Sequence, residues 1–144
     1  MDIKSLDKEL LEIVEKKNKL LELGYDSEKY DDLEEELHDL EDDFIEKYGD
    51  YLEDMLEDVH MKICPDTDVL LPIAYIANQY VAVGKNNDGT HIYEVPPKEG
   101  VIVEADKYPD KVSRLVLIPN PLRLMLMNGK NIKEIVWENG ELKV

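Results

Sequence analysis

Residues 30–60 read YDDLEEELHDLEDDFIEKYGDYLEDMLEDVH, and the period of their apolar positions decides the fold class. Tyr30, Leu33, Leu37, Leu40, Phe44, Tyr48, Leu52, Met55 and Val59 recur in steps of three and four, which places them on one face of an α-helix. The steps of four around Phe44 break a strict heptad, so the helix is expected to pack on a sheet rather than wind into a long two-stranded coiled coil. Gly49, with Asp50 after it and Glu53 three residues further on, carries the signature of a helix end followed by a cap. The pattern therefore leaves open whether the helix is continuous or broken at Gly49.

Upstream, Ile3, Leu6, Leu10, Ile13 and Leu20 form a second helical stripe, with Lys17 at the missing position and Leu11, Val14 and Leu21 widening it. Leu23-Gly24 predicts a left-handed helix stop, and Asp26 or Ser27 an N-cap for the next helix. So short a connection implies an antiparallel helical hairpin.

From Leu70 onward the period shortens. Tyr80–Val83 and His91–Val95 flank Asn86-Asn87-Asp88-Gly89, a hairpin signal because Asn, Asp and Gly tolerate positive φ. Further strands are expected over 101–105, 114–118, 132–137 and 142–144, separated by Gly-, Pro- and Asn-rich turns. Pro119-Asn120-Pro121 interrupts the most apolar stretch, which predicts a bulge, a strand switch or a sharp corner. After it, Leu122, Leu124 and Leu126 share one face, and Arg123, Met125 and Met127 the other. With the leucines in the core, the Met-bearing face is expected to lie outward, as an adaptable surface for a partner or a second copy. No helical pattern of crossover length intervenes, so the sheet should be mostly antiparallel. The expected architecture is α+β: an N-terminal helical hairpin packed on a sheet of about five to seven strands. One domain is expected over 1–144, with an acidic helical part at 1–60 and a β meander at 61–144.

Charge divides the same way. Met1–His60 holds twenty-three Asp and Glu against seven Lys, whereas Met61–Val144 holds eleven acids against ten bases, for a net −17 over the chain. Such a charge repels phosphate backbones and anionic lipid, so neither nucleic acid nor membrane is an expected partner. No apolar run has the length of a membrane span, Met1-Asp2-Ile3-Lys4 opens a helical pattern, and Cys64 is the only cysteine. Together these make the cytoplasm the expected compartment.

Opposite the apolar stripe of 30–60 runs an acidic series, Glu35, Asp39, Asp42, Glu46, Asp50, Glu53 and Glu57, with Lys47 the one cation among them. Like charges at this spacing cost a helix roughly 0.2 to 0.5 kcal/mol per pair. The ordinary meaning of such a run is a solvated face kept for solubility. The sharper alternative is a docking ridge for a basic protein, as in an inhibitor, an immunity-type protein or a chaperone of a basic client.

Catalytic signatures are weak. Glu35 with His38 and Glu57 with His60 have the Glu-x-x-His spacing of di-iron sites, but the chain lacks the further long helices such sites need. His60, Cys64, Asp66 and Asp68 cluster in sequence and offer four metal-ligand types as the helix ends, although zinc sites ordinarily pair ligands at two places. Asp66-Thr67-Asp68 starts like a calcium loop but lacks its glycine and its next acid. There is no nucleophile elbow, phosphate loop or dinucleotide fingerprint, so no catalytic residue and no cofactor is assigned. The leading expectation is a non-enzymatic interaction protein with a basic partner. The alternatives are a small-molecule or metal-binding domain near His60 and Cys64 using Tyr75, Tyr80 and Tyr93, and a structural homodimer or larger homo-oligomer through the helices and the Met face.

Overall fold

The computed structural model describes all 144 residues. Helix α1 (Ile3–Leu23) and helix α2 (Tyr30–Ile63) form the hairpin, followed by one 3-10 turn at Pro72–Tyr75 and seven strands. These are β1 (Val81–Lys85), β2 (His91–Glu94), β3 (Val101–Val103), β4 (Ser113–Ile118), β5 (Arg123–Asn128), β6 (Ile132–Glu138) and β7 (Glu141–Leu142). Strands β3 to β7 make a five-stranded antiparallel meander in chain order, and β1 and β2 pair separately as a two-stranded hairpin. The fold is α+β, as the change of hydrophobic period predicts. One core of 32 buried residues draws on both halves, from Leu6 and Leu10 through Phe44 and Leu52 to Leu124 and Trp137.

Two ion pairs fix the antiparallel register of the helices: Lys47 Nζ meets Glu9 Oε1 at 2.7 Å, and Lys16 Nζ meets Glu36 Oε2 at 3.2 Å. The helix ends depart in detail from expectation. Gly24 closes α1 with φ 72° but ψ 165°, so it opens the chain instead of adopting a left-handed cap. Neither Asp26 nor Ser27 caps α2: Lys29 occupies the cap position without a side-chain bond, and Ser27 Oγ accepts the Lys29 amide at 3.2 Å within the preceding turn. Pro65 does stop α2, whose last turn closes with the Cys64 amide donating to the His60 carbonyl at 2.8 Å.

Of the two readings of Gly49, the continuous helix holds. Glycine costs a helix interior about 1 kcal/mol relative to alanine. Burial of Tyr48, Leu52, Met55 and Leu56 on the adjoining turns outweighs that.

The Pro119-Asn120-Pro121 segment is the sharp corner among the three options, a turn joining the neighbouring strands β4 and β5. Asn120 sits at φ 62°, and its amide donates to Asp7 Oδ1 of α1 at 2.7 Å. Beyond it, every residue of β5 is buried. The expected outward Met face is therefore corrected: Met125 is 8% and Met127 2% exposed. A second layer covers that face. Arg123 Nη2 donates to the Tyr93 carbonyl at 2.6 Å, and Lys133 pairs with Glu94 at 2.9 Å. Gly100 lies so close that a Cβ there would stand 3.2 Å from that of Val116, the register partner of Met125. Hence β2 and the segment after it lie against the side of the sheet turned away from the leucines.

A methyl group at position 49 would meet Ile45 Cγ2 at 3.3 Å, and Ile45 is half-buried with room to shift. Gly49→Ala should therefore raise stability, by up to about 1 kcal/mol, in denaturant melts. A lower midpoint would mean that Ile45 is pinned.

Candidate functional site

The seven carboxylates Glu35, Asp39, Asp42, Glu46, Asp50, Glu53 and Glu57 are all solvent-exposed on the uninterrupted α2. At about 100° per residue they fall within roughly 80° of arc and span about 33 Å of helix axis. The opposite side of α2 carries buried Phe44, Leu52, Met55 and Val59, which hold the helix by one face and leave the acidic face to water. The structure thus brings the whole sequence-derived series into one row.

None of the seven takes part in an ion pair or accepts a side-chain hydrogen bond. Lys47, the cation among them in sequence, turns sideways to Glu9 on α1, and that hydrogen bond and charge raise the ammonium above its ordinary range. Beside it, burial and the nearby Glu9 push the Tyr48 phenol up to about 12. The one cation along this part of α2 is thus engaged across the hairpin, and no ion pair within the chain reaches the ridge.

The helix-end residues behave differently. His60 is 2% exposed, with Nδ1 3.0 Å from the Thr67 carbonyl and Nε2 2.8 Å from the Tyr75 hydroxyl. A carbonyl can only accept, so Nδ1 carries a hydrogen and donates it to Thr67, while Nε2 shares its hydrogen bond with the Tyr75 hydroxyl. Tyr75 Oη in turn accepts the Leu70 amide at 3.2 Å. Both ring nitrogens are committed to pinning the 67–75 segment onto α2. Cys64 is fully buried, and burial first, then the charge of Asp106, lifts its thiol to about 11. Asp66 and Asp68 are exposed. The four residues do not converge on one point: no group of three or more His, Cys, Asp or Glu side chains is placed to hold a metal ion.

Tyr75, Tyr80 and Tyr93 line none of the principal cavities. All three are buried in the core, where Tyr80 Oη donates to the Leu117 carbonyl at 2.7 Å and accepts the Ala77 amide at 2.9 Å. The principal cavities lie elsewhere. One of about 590 Å³ runs beside the edge strand β3, among Asp66, Ile102, Glu104, Asp110 and Val112. Another of about 350 Å³ adjoins the ridge at His38, Asp42, Ile45 and Ile73. No helix is long and apolar enough to cross a membrane.

With this geometry in hand, comparison with protein-family models, with curated proteins and with solved structures finds no match.

One surface escaped the sequence reading. At the hairpin tip Tyr25 is 86% and Leu21 59% exposed, and they border a groove of about 310 Å³ between the helices. Tyr25 stacks on Tyr30 with ring centroids 4.8 Å apart. The signal available beforehand was an aromatic directly after the glycine stop, outside both apolar stripes.

Two measurements check the helix-end account. Tyr75→Phe leaves His60 Nε2 and the Leu70 amide without their partner and should cost about 1 to 3 kcal/mol in denaturant melts; an unchanged midpoint would show that the relay does not hold the segment. Native Cys64 should resist iodoacetamide at pH 8 and react stoichiometrically once the chain is unfolded in guanidinium. Rapid native alkylation would place the thiol in an open, mobile region.

Proposed function

We propose that the protein is a non-enzymatic interaction protein whose acidic α2 face docks a basic protein partner, in the manner of an inhibitor, an immunity-type protein or a chaperone for a basic client. One observation carries this reading: seven exposed carboxylates stand in a single row on a continuous helix, and none is neutralised within the chain. A face meant only for solubility gains nothing from alignment. Interspersed cations would serve as well and spare the helix its like-charge repulsion. An aligned row produces a directional field that speeds encounter with a positive surface and penalises wrong partners. The apolar stripe opposite fixes the row's orientation, so the field is preorganised. The filled core around Tyr75 and Tyr80 and the committed nitrogens of His60 give no support to a small-molecule or metal site at the helix end.

Affinity capture from native cell extract at low salt, followed by elution at moderate salt and mass spectrometry, should yield a protein with a basic surface. Its association rate with the purified chain should then fall at least about tenfold between low and high ionic strength. Asp39→Asn, Asp42→Asn and Glu46→Gln together should slow association while raising, not lowering, the melting temperature, because like-charge pairs along the helix are relieved. Binding that ignores both salt and these substitutions would reduce the ridge to a solvated face.

A further inference from the structure

The hairpin tip joins two properties that rarely coincide without a partner: exposed apolar surface and dense negative charge. Its groove is floored by Leu20 and Leu37 and walled by Leu21, Tyr25, Tyr30 and Lys17. Over residues 16–36 the chain around it carries eight Asp and Glu against four Lys, one of which, Lys17, lines the groove while Lys16 pairs with Glu36, so the surroundings keep a net negative charge. Large exposed aromatics cost solubility, and Tyr is a favoured interface anchor because it covers much area with few rotors. Tyr25 leans on the Tyr30 ring, with centroids 4.8 Å apart and planes tilted by 39°, so one of its faces already has a neighbour.

The surrounding charge selects the occupant. A second copy would bring two such acidic tips together, which like-charge repulsion opposes. A purely apolar partner would leave the acids without counter-charge. We infer that the groove at the hairpin tip, with Leu21 and Tyr25 on its rim, is the anchor point for a basic segment that carries apolar side chains between its lysines or arginines. The inference rests on the acidic-ridge reading and adds a division of labour. The ridge governs the rate of encounter through its field, and the tip governs lifetime and selectivity through buried apolar area.

Two synthetic peptides of equal length and charge test this by calorimetry, one alternating lysine with leucine and the other lysine with serine. Wild type should bind the lysine–leucine peptide about tenfold more tightly, the return expected from burying one or two aliphatic side chains. Leu21→Ser with Tyr25→Ser should abolish that preference and leave lysine–serine binding unchanged, while Tyr25→Phe, which keeps the ring, should retain it. The ridge variant carrying Asp39→Asn, Asp42→Asn and Glu46→Gln should weaken both peptides in parallel and preserve the preference. The anchor is overturned if wild type shows no preference, or if the preference survives loss of Leu21 and Tyr25. A dimer in light scattering that the serine variant dissolves would assign the groove to a second copy and overturn it equally. A ridge variant that binds both peptides as wild type does would instead sink the ridge reading and leave the anchor standing.

Discussion

Complete burial of β5 is the constraint on which the remaining architecture depends. A strand whose two faces both carry apolar side chains needs cover on two sides, and a five-stranded meander supplies neither. The helices cover the side of Leu124 and Leu126, where Tyr51 of α2 meets Trp137 with ring centroids 6.5 Å apart. The hairpin β1–β2 and the segment after it cover the other, and the buried Arg123 is the tie. Its guanidinium donates to the carbonyls of Pro121 at 2.8 Å and Tyr93 at 2.6 Å, so a charge that burial would otherwise penalise is held by backbone dipoles. Desolvation there lowers its affinity for the proton relative to a free guanidinium, against the pull of Glu138 and Glu94.

This layering also explains the division of charge. Residues that meet the sheet on two sides have little room for ionised groups, and the second half of the chain carries them more sparsely, its eleven acids balanced by ten bases. The hairpin α1–α2 covers only one face of the sheet and has a whole side of α2 left over. Its acids gather there because nothing packs on it, and the apolar stripe of the same helix sets the direction in which they point. The ridge and the core are thus two faces of one periodic sequence.

What was legible follows from which interactions are local. Helical stripes and the acidic row need only the 3.6-residue period, so Phe44, Leu52 and the carboxylates from Glu35 to Glu57 lie where the pattern puts them. Turn residues likewise announced the β1–β2 hairpin, and at Asn120 an interruption whose form, a sharp corner, was one of three left open. The Met face was misjudged because alternation says which residues share a side, not whether a second layer covers it. That cover comes from contacts such as Arg123 with Tyr93, 30 residues apart, which no local pattern encodes. His60, Cys64, Asp66 and Asp68 looked like ligands because they are neighbours in sequence. In space, the imidazole turns inward to Thr67 and Tyr75, and the two aspartates turn out to water. The groove at the tip needed both helices in place before it existed.

The bond from the Asn120 amide to Asp7 spans 113 residues, so the N-terminal part of α1 is fastened by a segment made much later. Loop closure over such a separation is slow, and contacts of this range are among the latest to form. During synthesis the acidic hairpin therefore emerges long before the β4–β5 corner that secures it. Through that interval its apolar stripes lack their sheet, and like charge on the acidic faces of neighbouring chains opposes their association. The charge that lies outside the core of the finished molecule thus also bears on the unfinished one.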